Sequence, residues 1–123
     1  MKYQTTITGF GSEAFEFIEP ELALNFVILF NEDAPPELAE LAIQHTKEEL
    51  IAPPVRGDIL IIGESVYTIT AVGDEVPYTL EELGHCTLAF GGGEAAFRPG
   101  CIMLDGPVLT KDTLKIGDKI EIY

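Results

Sequence analysis

His45 and His85 are the two histidines of the chain, and imidazole is the side chain best suited to take up and release a group near neutral pH. His45 falls seven residues after Leu38 and four after Leu41, so on a helix it lies over an apolar stripe and is partly buried. Two roles fit that place: a packed histidine with both nitrogens satisfied, or a neutral imidazole poised as a nucleophile. His85 opens Gly84-His85-Cys86-Thr87-Leu88-Ala89-Phe90, where period-two alternation sets Cys86, Leu88 and Phe90 on one face and His85, Thr87 and Ala89 on the other. His85 and Thr87 together can hydrogen-bond an imidazole or a phosphate oxygen, although plain exposed alternation gives the same pattern. Gly91-Gly92-Gly93 follows as either a nest of amides for an anion or a flexible loop, and no helix with phosphate-loop spacing comes after it.

Other chemistries recede on spacing. A helix would bring Glu48 and Glu49 within a turn of His45, with His85 as a third kind of ligand, but there is no H-E-x-x-H and no metal or cofactor is expected. Ser12 and Ser65 are the only serines, and Gly63-Glu64-Ser65-Val66-Tyr67 lacks the second glycine of a nucleophile elbow. Cys86 and Cys101, with fourteen residues between them, form neither a zinc spacing nor a C-x-x-C and read as core thiols.

Twenty-one acidic against seven basic residues leave a net charge of −14, which removes the Lys/Arg source of phosphate and anionic-membrane attraction and so argues against nucleic-acid binding. The same field steers a basic protein surface toward the chain, and it equally serves solubility. The longest apolar run, Leu22 to Phe30, is nine residues with Asn25 inside it, well short of the roughly 18 needed to cross a bilayer. The start, Met1 to Thr8, alternates polar and apolar residues without a secretory signal's continuous apolar segment. Direct membrane insertion is therefore not expected, and a cytoplasmic location is.

The elements that must position the histidines follow from length and punctuation. With 123 residues, 46% of them apolar, the chain is long enough for one packed domain over residues 1–123. Glycine-centred turns at Gly9, Gly57, Gly63, Gly73, Gly91 to Gly93, Gly106 and Gly117 recur with the rhythm of an all-β barrel. Seven short strands lie between them, at 3–8, 22–30, 59–62, 66–72, 86–90, 101–104 and 119–123. Gly63-Glu64-Ser65 closes a tight hairpin with glycine supplying positive φ. Leu22 to Phe30 is apolar on both parities and needs cover on both faces. One main helix is predicted over 35–50, with Asp33 as N-cap, Pro35 and Pro36 in the first turn and Pro53-Pro54 beyond its end, and it supplies that cover. A shorter helical turn over 78–83 carries Thr79 and Glu82 in capping-box spacing. The likeness between 55–60 and 115–120 reads as shared turn chemistry. The predicted architecture is mainly β: a small closed or nearly closed barrel of about seven strands with one main helix packed on it.

Tyr3-Gln4-Thr5-Thr6-Ile7-Thr8, Glu82-Leu83-Gly84-His85-Cys86-Thr87-Leu88, Pro99-Gly100 and Gly106-Pro107-Val108 together resemble the glucitol/sorbitol-specific IIA component of the bacterial phosphotransferase system, in order along the whole chain. Val66 to Gly73 fits the segment before the second histidine. The resemblance implies a histidine that accepts a phosphoryl group from the phosphocarrier protein HPr and hands it to the IIB domain of a glucitol/sorbitol permease. It places the acceptor on His45, within Leu41-Ala42-Ile43-Gln44-His45-Thr46, with His85 as support or alternative acceptor and Thr87 as a phosphate hydrogen bond. Thr46 and Lys47 stand where some members have a cysteine and a second histidine. A phosphohistidine adds about two negative charges. With Lys47, Arg56 and Arg98 the nearest cations by segment, hydroxyls and amides are expected to hold it. A non-catalytic small-molecule or protein-binding barrel with structural histidines is the other reading.

Overall fold

The structure is a computed structural model, and it describes residues 1–19 and 24–123. Leu22 and Ala23, at the head of the predicted 22–30 strand, lie outside the described residues. Among the described residues nine strands occur in chain order with two short α-helices: β1 Tyr3–Phe10, β2 Ile18–Glu19, β3 Leu24–Asn31, α1 Pro36–Ala39, β4 Ala42–His45, β5 Ile59–Ile62, β6 Ser65–Val72, α2 Val76–Leu83, β7 Cys86–Phe90, β8 Cys101–Asp105 and β9 Lys119–Ile122. Eight of them close a barrel in the order β3-β4-β1-β9-β5-β6-β8-β7, with β7 returning to pair with β3. β2 pairs with the start of β3 through Ile18 and Asn25, while β4 takes the other end of β3, Ile28 to Asn31. The β3–β4 and β7–β8 pairs are parallel and the rest antiparallel.

Alternation decides which side chains fill the barrel. Leu60 and Ile62 of β5, Tyr67 and Ile69 of β6, Leu88 of β7 and Ile120 and Ile122 of β9 are all buried in one cluster. Register Ile62↔Ser65 leaves Gly63-Glu64 as the hairpin loop, with Gly63 at φ +60° as its tight turn demands. The two similar hexapeptides do share one turn. Asp58 Oδ2 accepts the Val55 N–H at 2.9 Å and Asp118 Oδ2 the Lys115 N–H at 3.0 Å, and Gly57 and Gly117 have φ of +96° and +99°. Each turn delivers the chain into a barrel strand, β5 or β9.

The helix predicted over 35–50 is not there. α1 stops after four residues, and the chain then enters β4, pairing parallel with β3 and antiparallel with β1. Helical period in Leu38, Leu41 and His45 lost to tertiary pairing: a strand between two neighbours satisfies its backbone groups on both edges and buries Ala42, Ile43 and His45. Leu38, the head of the supposed stripe, is 41% exposed. The main helix is instead α2, and its N-cap is Glu75. Thr79 therefore sits inside the helix, its hydroxyl donating back to the Glu75 carbonyl at 3.3 Å rather than forming a capping box. Cover for the outer side of β3 comes from the preceding turn segment, where Phe17 stacks on Phe26 at 4.8 Å between ring centroids.

Candidate functional site

β4 delivers His45 into the interior, where it is fully buried and stands opposite Asn31 in the parallel ladder. Tyr3 of β1 meets its ring edge-on, with centroids 6.3 Å apart. The Tyr3 hydroxyl is held well above its ordinary ionisation range by burial first, then by the Cys86 thiol and Glu48 carboxylate nearby. Both imidazole nitrogens of His45 face backbone carbonyls: Nδ1 lies 2.9 Å from the Thr46 oxygen and Nε2 2.7 Å from the Gly84 oxygen. Carbonyl oxygens only accept, so neither lone-pair direction of this ring is open.

α2 and β7 deliver the second imidazole. The helix ends on Gly84 in the left-handed conformation, φ +60° and ψ +26°, and the amides of Gly84 and His85 take the carbonyls of Leu80 and Thr79. That reversal sets His85 immediately before β7 and over the outer side of β3. Its ring stacks on Phe30 at 4.4 Å with 22° between planes, and Nδ1 lies 3.0 Å from the Leu29 carbonyl oxygen. His85 is half-buried, and among the described residues Nε2 has no hydrogen-bond partner.

The two predicted histidines therefore meet at one peptide. His45 holds the carbonyl of Gly84, and the nitrogen of that same peptide belongs to His85. A Cβ on Gly84 would overlap the Asn31 amide and come within 2.7 Å of His45 Cε1, so the contact requires glycine for space as well as for φ. Asn31, Gly84, Phe30 and the Leu29 carbonyl were not singled out by sequence. A helical pattern ending in Gly marks a C-cap and signals Gly84, but nothing local marks the other three, which arrive through strand pairing.

Thr87 points outward between buried Cys86 and Leu88, as alternation requires, and lines a cleft of about 460 Å³ with Asn25, Phe26, Phe97 and Arg98. Of the three predicted cations only Arg98 shares this cleft; Lys47 lies 3.7 Å from Asp33, and Arg56 borders a different groove. Gly91, Gly92 and Gly93 all have positive φ, yet the Gly91 and Gly92 amides both donate to the Leu104 carbonyl, which leaves no nest of three free donors. Cys86 and Cys101 are buried free thiols, and burial together with the Cys101 thiol pushes Cys86 up to about 12. The helical spacing that set Glu48 and Glu49 over His45 is absent, and no group of three His, Cys, Asp or Glu side chains gathers among the described residues. No helix among the described residues is long and apolar enough to cross a membrane.

Comparison with known proteins agrees with the barrel. The family described as the phosphotransferase-system glucitol/sorbitol-specific IIA component matches residues 2–121. Glucitol/sorbitol-specific EIIA components of Escherichia coli strain K12 and of Shigella flexneri are each 38% identical over 106 residues, covering 86% of this chain and 83% of theirs. A crystal structure of a phosphotransferase-system IIA component from Enterococcus faecalis V583 superposes with a TM-score of 0.75 at 28% identity, covering 97% of this chain and 98% of that one.

Proposed function

Because the chain belongs to the glucitol/sorbitol-specific IIA component family of the phosphotransferase system, we propose that it is a phosphoryl carrier in polyol uptake, accepting from HPr on a histidine and donating to the IIB domain of a glucitol/sorbitol permease. The observation that carries this reading is the convergence of His45 and His85 on the Gly84–His85 peptide, which makes one site of two residues forty positions apart. The site is the pair of imidazoles, with His45 the acceptor implied by family likeness and His85 beside it. Thr87, in the same outward row as His85, is the hydroxyl placed to meet a phosphate oxygen. A relay needs a phosphoryl group held loosely, since tight clamping stabilises the loaded state and slows donation. An acidic surface with Arg98 as the one predicted cation in the Thr87 cleft suits loose holding.

The net charge of −14 supports docking of a basic face on HPr, and the relay belongs on the cytoplasmic side of the membrane, where the carrier and the permease's IIB domain meet. Incubation with the phosphotransferase donor system tests the reading. The expected product is the chain carrying one acid-labile, hydroxylamine-sensitive phosphate that is discharged by the IIB domain. A chain that takes up none under these conditions is a binding barrel whose histidines are structural.

A further inference from the structure

We propose that the Gly84–His85 peptide is a two-position switch on His45. Its carbonyl caps Nε2 in the unloaded chain, and a half-turn of the peptide replaces that carbonyl with the His85 N–H, which then donates to the phosphoryl group. This rests on the phosphoryl-carrier reading with His45 as acceptor, and it assigns the group that uncovers the ring and then holds its phosphate.

The need for a switch follows from the seal. His45 has no exposed surface, and carbonyl oxygens lie 2.9 Å from Nδ1 and 2.7 Å from Nε2. A neutral ring has one N–H for those two acceptors. For Nε2 to attack, the proton must sit on Nδ1 with the Thr46 carbonyl, and the Gly84 carbonyl then faces a lone pair across 2.7 Å. A phosphoryl group on Nε2 sharpens that opposition, because its oxygens and the carbonyl are all acceptors. The carbonyl on the Nδ1 side is pinned: Thr46 donates its N–H to the Thr6 carbonyl at 2.9 Å, its hydroxyl accepts the Thr6 N–H at 3.0 Å, and the His45 carbonyl accepts the Glu32 N–H at 2.8 Å. The Gly84 carbonyl instead follows the last turn of α2, and the N–H of its peptide, that of His85, bonds the Thr79 carbonyl at 3.1 Å. Thr79 is half-buried, so water can take over that carbonyl when the peptide turns.

Glycine is what allows two positions. A half-turn carries ψ of Gly84 from +26° to roughly −150° at positive φ, a region essentially confined to glycine. The missing Cβ also leaves room, since one placed there would come within 2.7 Å of His45 Cε1, the carbon between the two ring nitrogens. N–H and C=O point opposite ways from one planar peptide, so the turn sets a donor where the acceptor stood. An uncharged amide donor holds a phosphate loosely, in keeping with a relay.

In the transfer, the Nε2 lone pair forms a new N–P bond while the donor's N–P bond breaks and its electron pair returns to the donor's ring. The donor arrives with its distal ring nitrogen protonated and leaves as a neutral imidazole. His45 keeps its Nδ1 proton on the Thr46 carbonyl and carries the ring charge.

Nuclear magnetic resonance of the whole isotope-labelled chain, before and after phosphorylation from HPr at mildly alkaline pH, tests the switch. Before loading, the His85 amide nitrogen is expected to couple through its hydrogen bond to the Thr79 carbonyl carbon. After loading, that coupling disappears and one from the His85 amide to phosphorus replaces it. A loaded chain that keeps the Thr79 coupling overturns the switch and leaves the carrier reading standing, whereas a chain that HPr does not load overturns the carrier reading beneath it. Loss of the Thr79 coupling with none to phosphorus overturns the donor role. Gly84→Ala, checked for fold by circular dichroism, is expected to load more than about tenfold more slowly, because a Cβ opposes the turned position. Loading at the wild-type rate overturns the switch, and where that variant folds poorly the wild-type couplings decide alone.

Discussion

Gly84 is where a single atom separates the observed site from a broken one. Its left-handed φ costs a residue with a Cβ about 1–2 kcal/mol, and the added carbon would meet the Asn31 amide and the His45 ring. Gly84→Ala is therefore expected to lower unfolding stability by at least about 1 kcal/mol and, on the proposed carrier role, to slow phosphoryl uptake, because the peptide that joins the two imidazoles must shift. Denaturant unfolding and labelling on one preparation measure both. Wild-type values for both would show that the Gly84 contact is loose. At this scale the histidines themselves were legible, since imidazoles are few and their chemistry is intrinsic. Their accessibility was not, because it depends on whether a carbonyl from residue 84 reaches residue 45.

β4 is the element that sequence periodicity misread. Leu38, Leu41 and His45 fit a helix, and Pro35-Pro36 suit a helix start, so local signals agree with one another and with α1 for its single turn. Beyond that turn, two flanking strands offer Ala42 to His45 a full set of ladder bonds and a buried side-chain row, which outweighs helix propensities of a few tenths of a kcal/mol per residue. The two assignments make opposite claims about Leu38 and Ile43. Ile43→Ala should cost about 2–5 kcal/mol, while Leu38→Ala should change stability by less than about 0.5 kcal/mol, both read from urea midpoints at constant slope. A comparable loss at both positions would restore the long helix. By contrast, β5, β6, β7, β8 and β9 were legible because their alternation and glycine turns are local, and closure of the barrel only confirmed which parity faces inward.

For the whole molecule, excess negative charge would, on the proposed relay, steer a basic partner, and one ion pair marks where the barrel feels acid. The rate of transfer from HPr is expected to fall steeply as ionic strength rises from 0.01 to 0.15 M, since screening shortens the reach of the field from about 30 to about 8 Å. A salt-independent rate would mean that the charge of −14 serves solubility alone. Lys2 at the start of the chain lies 2.6 Å from Asp58 at the mouth of β5. Burial alone would raise the Asp58 carboxyl, but the Lys2 hydrogen bond and charge and the Val55 N–H together hold it below the ordinary carboxylate range. A depressed carboxyl stabilises the fold above the unfolded value, near 4, and the gain is lost as pH falls through the folded value. Asp58→Asn should thus cost up to about 1 kcal/mol at pH 7, with the difference from wild type shrinking below pH 4 in a series of unfolding midpoints. A constant difference would assign it to the turn's hydrogen bond.

Composition, turn spacing and alternation by themselves determined a closed mainly β domain, its acidic surface, its core thiols and the two imidazoles worth considering. Each follows from residue type or from contacts a few positions apart. Only the tertiary structure decided that residues 42–45 form a strand, that His45 is sealed by Thr46 and Gly84, and that His85 lies on Phe30 with no hydrogen bond to Nε2 among the described residues. Those outcomes depend on β3 meeting both β4 and β7, with partners as far apart as Phe26 and Ala89 in the chain. Pairing over that distance is chosen by the closure of the barrel and leaves no periodic trace in the chain that undergoes it.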